Sequence, residues 1–185
     1  SKSAEKSLKE SFVALRKALN GIIQAVALTV EKRDTYTAGH QRRVADLARA
    51  IATKMGLSKE QINGIRIAAS IHDLGKICVP AEILSKPGRL TEHEFGMIKA
   101  HPEGGYDILK GIEFPWPIAQ TVLQHHESLD GSGYPAGIKS EQIIVEARIV
   151  AVSDVVEAMS SHRPYRPALG IDMALDEIRK GRGIA

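Results

Sequence analysis

The start of the chain carries a regular pattern of apolar positions that predicts a long amphipathic helix. Between residues 5 and 33, apolar side chains recur in alternating steps of four and three: Leu8, Phe12, Leu15, Leu19, Ile22 and Val26. A period of 3.5 residues is typical of a helix that contacts a second helix along its length. We therefore predict a linker or signalling helix over residues 1–30 that pairs with a second copy to form a homodimer. The alternative is an amphipathic helix packed on its own domain, and Gly21 weakens a long rigid rod.

Helical spacing of apolar residues continues through most of the remaining chain and predicts an all-α fold. Six further helices are expected at about 38–55, 59–72, 92–110, 115–127, 141–160 and 171–180. Valine and isoleucine occur mostly at helical spacing, so no sheet is required. The expected architecture is a compact bundle of about six or seven helices, preceded by the N-terminal helix.

Capping residues mark several helix ends. Ser58 with Gln61, and Thr91 with Glu94, have the spacing of capping boxes, in which each side chain bonds the backbone N–H of the other residue. Gly56 follows the second predicted helix and has the position of a terminal glycine in the left-handed conformation. These signals predict where the second helix ends and where the third and fourth begin.

Composition narrows the class of protein. The 25 Lys and Arg against 22 Asp and Glu leave a net charge of +3, and both signs are mixed along the chain. Aromatic residues make up only 4%, which argues against a binder of DNA or RNA polymers, since single-strand binders stack bases on aromatic rings. The single cysteine, Cys78, excludes an intrachain disulfide framework and a cysteine-based zinc site.

The same sequence gives an expectation about location. No apolar run approaches the ~18–20 residues of a membrane span. The polar start of the chain does not resemble a signal peptide. We therefore expect a cytoplasmic protein with no direct membrane insertion in this segment.

Several histidines and aspartates fall on the inward faces of the predicted helices. Asp154 lies on the same stripe as Ala147 and Val150, where a carboxylate is costly unless it is paired or bound to metal. The full set is His40, His72, Asp73, His101, His125, His126 and Asp154. One buried histidine is usually a core residue with satisfied hydrogen bonds, but this set exceeds what a core normally tolerates. Imidazoles and carboxylates without thiolate suit Fe, Mn or Zn, and seven ligands suit two ions that share a carboxylate, as in phosphoester hydrolases.

Two motifs carry a resemblance to a known family. Residues 72–76 read HDLGK, and residues 125–135 read HHESLDGSGYP. The chain resembles the HD-GYP family of HD-domain phosphohydrolases, with matches in collinear order over residues 30–180. The further matches are DTYTAGH at 34–40, ILSKPGRLT at 83–91, His101-Pro102, and Asp154 followed by RPYR at 163–166. A bare His-Asp pair is nonspecific, whereas the whole series is highly specific.

The resemblance implies an activity and a metal centre. HD-GYP proteins are bacterial phosphodiesterases that hydrolyse cyclic di-GMP to linear pGpG, and sometimes on to GMP. The resemblance implies two divalent metal ions, with iron first and manganese as the alternative, and a bridging hydroxide that attacks the phosphorus. One ion would be bound by His40, His72, Asp73 and Asp154, and the other by His101, His125 and His126, with Asp73 bridging.

The resemblance also implies residues that contact the cyclic dinucleotide: Lys76, Tyr134, Arg163 and Arg166. Lys76 would contact the reacting phosphate, and together with Asp73 it is interpreted as catalytic. Each contact has a plain alternative: an exposed cation for Lys76, a surface ion pair for either arginine, and a loop anchor for Tyr134. His93 and His162 match no ligand position, so we expect both at the surface.

Departures from the family pattern affect three expectations. Tyr36 stands where some members carry a glutamate that supports a third metal, so we predict two ions. Residues 137–140 read GIKS instead of Gly-Leu-x-Gly, which alters a loop without disabling the site. The chain stops at Ala185, before the C-terminal helix of the family, so the catalytic domain at 31–185 is expected to be truncated.

Three functions remain open at the level of sequence. The first is a cyclic di-GMP phosphodiesterase, and the second is a phosphodiesterase that prefers cyclic GMP-AMP. The third is a catalytically silent receptor that binds the dinucleotide and transmits a signal. Because members of the family often place the catalytic unit after a sensory or receiver domain, we also expect such a domain upstream.

Overall fold

Helices account for the regular structure of the protein. The computed structural model describes residues 2–34, 39–161 and 168–181. Its helices are α1 (Lys2–Glu31), α2 (His40–Lys54), α3 (Lys59–Ile71), α4 (Ala81–Leu84), α5 (Glu92–Lys99), α6 (His101–Leu109), α7 (Ile118–Gln124), α8 (Val145–Ser160) and α9 (Ile171–Lys180). Two 3-10 turns, Leu74–Cys78 and Ser140–Gln142, follow α3 and precede α8. These described ranges contain no β-strand, which confirms the predicted all-α fold.

The predicted capping residues lie at the helix ends. The side chain of Ser58 accepts a hydrogen bond from the Gln61 N–H, and the side chain of Gln61 accepts one from the Ser58 N–H, both at 3.2 Å. Thr91 and Glu94 form the same reciprocal pair at the start of α5. Gly56 follows α2 with φ of 74°, in the left-handed region. All three predicted signals are confirmed.

The prediction of one continuous helix over 92–110 is wrong, because the chain breaks at Ala100 into α5 and α6. Pro102 lies in the first turn of α6, where its missing N–H is tolerated, but it cannot continue the hydrogen-bond ladder of α5. Helix α5 has no buried residue, whereas His101, directly after the break, is 2% exposed. The break therefore places His101 at the start of a buried helix. The other predicted helices are confirmed, with ends that shift by a few residues.

The core consists of two apolar clusters that share helix α3. The first joins the end of α1 to α3, α6 and α7 through Ala27, Val30, Ile67, Ala68, Ile71, Leu74, Leu109, Ile118 and Val122. The second joins α2, α3 and α8 through Val44, Ala45, Ala48, Ala52, Ile65, Ala69, Ile149 and Val150. Burial of apolar surface is the main favourable contribution to folding, at about 25 cal/mol per Å². Because α3 belongs to both clusters, the residues that follow it are deeply buried, and His72 has no exposed surface.

Glycine lets the turn after α3 lie directly on α6. A Cβ on Gly75 would be 1.8 Å from the carbonyl oxygen of His101, and a Cβ on Gly105 would be 2.7 Å from the side chain of Val122. Since the obstacle at Gly75 is backbone, a larger residue there would have to push α6 away. This close approach brings residues 72–76 against the start of α6.

Helix α1 is buried only at its C-terminal end. Ala27 and Val30 belong to the first core cluster, whereas the apolar stripe is exposed, by 71% at Leu8 and by 37% at Val26. Among the described residues, the alternative of a helix packed on its own domain therefore holds only for the last turns of α1. The predicted contact with a second copy stays a prediction.

The end of α1 is attached to the start of α2 by one carboxylate. Glu31 accepts hydrogen bonds from the backbone N–H of Gly39 at 3.1 Å and of Gln41 at 2.9 Å, one on each side of His40. A carboxylate at this place also interacts favourably with the positive end of the helix dipole. The position of α1 is thus linked to the backbone that carries His40.

Length and composition alone make α1 long and apolar enough to cross a membrane. An 18-residue window of this helix has a mean hydropathy of 1.3, and 6% of the window is buried. Arg16 and Lys17 lie in the middle of the helix, and its most exposed apolar residues keep the spacing of a helix–helix contact. The expectation of no membrane insertion in this segment stays a prediction.

Candidate metal centre

Seven imidazole and carboxylate side chains from five segments of the chain meet inside the bundle. Six of them lie at helix ends, at the start of α2 and α6 or directly after α3 and α7, and the seventh lies within α8. They are His40, His72, Asp73, His101, His125, His126 and Asp154. All seven belong to the described residues, and the structure brings together the whole set that the sequence predicts as ligands.

Three of the histidines form one group. One ring nitrogen from each of His101, His125 and His126 lies within 4.8 Å of the others. Nε2 of His101 is 3.2 Å from Nε2 of His125, and the ring centroid of His126 is 4.1 Å from that of His125. This spacing allows three imidazoles to reach a single cation.

The second group combines imidazoles with carboxylates. His40, His72 and Asp73 place one ligand atom each within 4.8 Å of the others. Asp154 joins them from α8, with its Oδ1 at 3.0 Å from Nε2 of His40 and at 3.8 Å from Nε2 of His72. Such a mixed set of nitrogen and oxygen atoms surrounds a space suited to a divalent ion.

Asp73 lies between the two groups. Its Oδ1 is 3.3 Å from Nε2 of His101, and its Oδ2 is 3.7 Å from Nε2 of His72. The residue is 3% exposed, so water does not screen these contacts. One carboxylate therefore faces both groups of nitrogen atoms.

Backbone carbonyls orient three of the imidazoles in the same way. In His72, His101 and His125, Nδ1 lies 2.8, 2.7 and 2.6 Å from the carbonyl oxygen of the residue three positions earlier. A carbonyl only accepts, so Nδ1 carries the proton and donates, and Nε2 keeps its lone pair. Each Nε2 then faces the centre of the cluster, as metal-binding histidines require.

The donor set fits a transition-metal ion. Nε2 of His72 is buried and has no hydrogen-bond partner among the described residues, although an unsatisfied buried polar atom is costly. A cation bound to the lone pair of His72 would remove this cost. Imidazole and carboxylate without thiolate suit Fe, Mn and Zn better than Ca or Mg.

Burial keeps the first group of histidines neutral. It lowers the pKa of His126 to about 4, and it lowers the pKa of His125 and His101 as well. The neighbouring imidazoles add to the effect on His125 and His126, because like charges would repel. At neutral pH these three side chains therefore present lone pairs rather than protons.

His40 has the opposite electrostatic environment. Burial by itself would lower its pKa, but the carboxylates of Asp154 and Glu157 outweigh burial and raise the pKa to about 9. His40 in turn holds the pKa of Asp154 below its usual range, although burial opposes this. In the absence of a cation, a proton on His40 balances the charge of these carboxylates.

Two side chains that the sequence does not predict hold the ligands in place. Glu157 is hydrogen-bonded to Nδ1 of His40, so the Nε2 atom of His40 is directed to the centre. Gln41 donates from Nε2 to Oδ2 of Asp73 at 3.0 Å. Their positions in the sequence could have indicated this role. Glu157 follows Asp154 by one helical turn, and Gln41 directly follows His40.

Lys76 is part of the cluster. Its ammonium lies 2.9 Å from Oδ2 of Asp73 and 3.3 Å from Oδ2 of Asp34, and its side chain is 16% exposed. Burial would lower the pKa of Lys76, but Asp73 and Asp34 outweigh burial and raise it. The alternative of an exposed helix-end cation is therefore wrong.

Tyr134 covers one side of the first group. Its ring stacks on the ring of His126, with centroids 4.7 Å apart and an interplanar angle of 26°. Its backbone N–H donates to the carbonyl oxygen of His126 at 3.0 Å. Tyr134 is therefore anchored in its loop and lies beside the cluster, and its predicted contact with the substrate stays a prediction.

The loop that carries Tyr134 is held by the motif's own residues. The buried carboxylate of Glu127 accepts hydrogen bonds from the N–H groups of Ala136 at 2.7 Å and Ile138 at 3.1 Å. A Cβ on Gly133 would be 2.3 Å from the backbone nitrogen of Ser128, so only glycine fits there. The sequence HHESLDGSGYP thus supplies two histidines of the cluster and the loop beside them.

Some of the predicted residues lie outside the described residues. They are Tyr36, His162, Arg163, Arg166 and residues 182–185. His93 belongs to α5 and is exposed, as expected.

A family model of the HD domain matches residues 24–184. The chain belongs to the HD domain family. The His-Asp pair of this HD domain is His72-Asp73, which lies in the middle of the cluster.

Curated relatives and a solved structure are similar to this HD domain. The cyclic di-GMP phosphodiesterase response regulator RpfG of Xanthomonas campestris pv. campestris is 41% identical over 183 residues, covering 98% of this chain and 48% of RpfG. The 3'3'-cGAMP-specific phosphodiesterase 3 of Vibrio cholerae is 39% identical over 157 residues, covering 85% and 34%. The HD domain thus spans half or less of the length of these relatives. The HD domain of the phosphodiesterase PgpH of L. monocytogenes superposes with a TM-score of 0.61 at 25% identity, covering 85% of this chain and 83% of the solved PgpH HD-domain chain.

Proposed function

We propose that the chain is the catalytic part of a phosphodiesterase that hydrolyses cyclic di-GMP to linear pGpG, with GMP as the alternative end product. The observation that carries this proposal is the position of Asp73, whose two oxygens face His101 at 3.3 Å and His72 at 3.7 Å. Sites with two metals and a shared carboxylate suit an in-line displacement at phosphorus. The name of RpfG, a cyclic di-GMP phosphodiesterase, supports this substrate.

The proposed cofactor is a pair of divalent ions, iron first and manganese as the alternative. The proposed ligands are His40, His72, Asp73 and Asp154 for one ion and His101, His125 and His126 for the other, with Asp73 bridging. When bound, the pair would supply Lewis acidity to the phosphate oxygens and to the attacking water. The two groups of nitrogen and oxygen atoms described above support a stoichiometry of two.

The chain's own residues would hold the centre ready for a phosphate. Gln41 and Lys76 both donate to Oδ2 of Asp73, at 3.0 and 2.9 Å, and so fix this carboxylate between the two groups. The ammonium of Lys76 would also contact an oxygen of the reacting phosphate, as a charge-assisted hydrogen bond. Burial raises the pKa of Tyr134 to about 12, so its hydroxyl stays protonated and is available as a donor.

Arg163 and Arg166 are proposed to bind the phosphates of the dinucleotide. A guanidinium can contact a phosphate through two parallel hydrogen bonds, which gives both affinity and orientation. Because both arginines lie outside the described residues, this part of the proposal rests on the resemblance to HD-GYP proteins.

The proposed organisation is a signalling helix at residues 1–30 followed by a catalytic domain at 31–185, in a cytoplasmic protein. The exposed apolar stripe of α1 supports a homodimer through this helix. RpfG is named a response regulator and is about twice as long as the matched segment, which supports an upstream sensory or receiver domain.

Metal analysis and product chromatography test the proposal together. We expect about two equivalents of iron or manganese in protein purified without oxygen, and conversion of cyclic di-GMP to pGpG. The variant Asp73→Ala removes the shared carboxylate, so it should lose metal and reduce turnover to background. The exposed His93→Ala is the matched control and should retain both metal and turnover.

The outcomes separate the parts of the proposal. Turnover by Asp73→Ala at the wild-type rate would overturn the proposed site. Three equivalents of metal would overturn the stoichiometry of two and leave the activity standing. Binding of cyclic di-GMP without any turnover, in the presence of added Fe(II) or Mn, would identify the silent receptor instead.

A preference for cyclic GMP-AMP is the second candidate. It is favoured by the Vibrio cholerae relative, which is named 3'3'-cGAMP-specific and is 39% identical. The chromatographic assay with the two dinucleotides in competition decides between the candidates through the ratio of kcat/KM values.

A further inference from the structure

Helix α5 exposes an aromatic ring and a cation on one face. Phe95 and Lys99 are four residues apart, so they are neighbours on the helix surface. The ammonium of Lys99 lies 4.9 Å from the centroid of the Phe95 ring, and the ring is 46% exposed. The helix has no buried residue, so the core does not explain this pair.

The same ammonium reaches the loop beside the metal cluster. Nζ of Lys99 lies 5.4 Å from the centroid of Tyr134, whose ring stacks on His126 at 4.7 Å. A continuous series of contacts therefore runs outward from the first histidine group to an exposed cation. Contact with two ring faces restrains the flexible lysine side chain.

Lys99 differs from Lys76 and Lys110 in having no carboxylate partner among the described residues. Lys76 contacts Asp73 and Asp34, and Lys110 contacts Asp107 at 2.6 Å. No carboxylate of the described residues forms an ion pair with Lys99. Its charge is therefore available to an anion that approaches the cluster.

We propose that Lys99, together with Phe95 and Tyr134, forms a subsite for the half of the cyclic dinucleotide that lies outside the metal centre. The inference rests on the proposed function. The substrate is a dianion with two phosphates and two purines, and only one phosphate reacts at a time. The ammonium of Lys99 binds the phosphate that is not cleaved, and the exposed ring of Phe95 stacks on a purine.

This subsite acts on substrate binding and leaves the chemical step unchanged. Lys99 contacts the ring of Tyr134, which in turn stacks on His126, and within the described ranges no hydrogen bond or ion pair joins Lys99 to a proposed ligand. A charge-assisted hydrogen bond contributes about 1.5–3 kcal/mol, so its loss weakens binding by about 10-fold or more. A diester with a single phosphate and no purine makes no use of the subsite.

Steady-state kinetics of the metal-loaded protein with two substrates test the proposal. We expect Lys99→Gln to raise KM for cyclic di-GMP about 10-fold while kcat stays within about 2-fold. With bis(p-nitrophenyl) phosphate, which has one phosphate, its kinetics should match those of the wild type. Lys99→Arg keeps the charge and should restore KM to within about 3-fold of the wild-type value.

The matched control is Lys110→Gln. Lys110 also lies over a tyrosine, with its ammonium 6.0 Å from the Tyr106 ring, but it is at the opposite end of α6 from His101 and is paired with Asp107. We expect wild-type kinetics with both substrates. An increase in KM for this control equal to that of Lys99→Gln would overturn the subsite, since the effect would then be one of net charge.

Two further results would overturn the inference and leave the proposed function standing. One is an unchanged KM of Lys99→Gln for cyclic di-GMP, and the other is an equal loss with both substrates. Wild-type protein that cleaves bis(p-nitrophenyl) phosphate and no cyclic dinucleotide would instead overturn the proposed function, and the inference with it.

Discussion

His40 is a proposed ligand whose ring orientation depends on another side chain. In three other histidines of the cluster, a backbone carbonyl holds Nδ1, and a substitution cannot remove that carbonyl. For His40 the partner is the carboxylate of Glu157, which is itself held by Arg43 with 2.6 Å between Nε and Oε1. Glu157 is thus a positioning residue that can be tested by mutation.

We expect Glu157→Gln to weaken metal binding at the group that contains His40 by about 10-fold, because an amide orients and polarises imidazole less strongly than a carboxylate. The group of His101, His125 and His126 should keep its affinity. Titration with a chelator of known affinity, followed by elemental analysis, measures both. The exposed Glu141→Gln serves as the control, and equal loss of both ions from Glu157→Gln would contradict the assignment.

At the scale of an element, hydrogen bonds and close backbone contacts fix the loop after α7 that carries Tyr134. Glu127 holds the far side of the loop through two backbone N–H groups, and Gly133 passes against the backbone of residues 126–128. Because backbone contacts leave little room to adjust, the loop should respond to a change of one methyl group.

Gly133→Ala is expected to destabilise the protein by about 1–3 kcal/mol, since its Cβ would be 2.3 Å from the backbone nitrogen of Ser128. It should also displace Tyr134 and reduce turnover. Gly96→Ala is the matched control in α5, where a Cβ meets nothing within 4 Å, and it should stabilise by about 0.5–1 kcal/mol. Urea denaturation of both variants measures these changes, and equal stabilities would refute the tight packing of the loop.

At the scale of the whole molecule, α1 combines a buried end with an exposed apolar stripe. Ala27 and Val30 fix the end of the helix in the core, while the residues of the stripe are exposed: Leu8, Phe12, Leu15, Leu19, Ile22 and Val26. This division predicts that the stripe governs self-association and that the last turns govern stability. A deletion of all of residues 1–30 would disturb both, so substitutions give the cleaner experiment.

We expect the double variant Phe12→Glu with Leu19→Glu to be monomeric, with an unchanged unfolding midpoint, because both side chains are exposed, by 63% and 51%. Sedimentation equilibrium measures the association. Ala14→Glu with Lys17→Glu places acidic residues off the stripe and should leave the dimer intact. Wild-type protein that stays monomeric at high concentration would count against a homodimer through α1.

Helical periodicity predicts the fold and much of the site for one physical reason. The proposed ligands occupy the faces that the apolar stripes mark, so the pattern that identifies a helix also shows which polar side chains face inward. Asp154 shares its stripe with Val150, and both are directed into the bundle. The assignment of the proposed ligands to two ions comes from the resemblance, because the spacing of residues within single helices does not indicate that assignment.

Other features depend on contacts between distant segments, and spacing does not predict them. The bond from Glu157 to His40 joins positions on α8 and α2, and the approach of Gly75 to α6 depends on the packing of two elements. The break at Ala100 is hidden because apolar spacing continues across it and a proline is compatible with the first turn of a helix.

The carboxylate of Glu31 accepts hydrogen bonds from the two backbone N–H groups that flank His40, those of Gly39 and Gln41. A rotation or translation of α1 would therefore move the backbone that carries His40, a proposed metal ligand. If α1 is the proposed signalling helix, its position and ion binding would form one linked equilibrium: a shift of α1 would change the affinity for an ion, and by reciprocity the ion would change the position that α1 prefers. A bound ion would then favour one position of α1 over another.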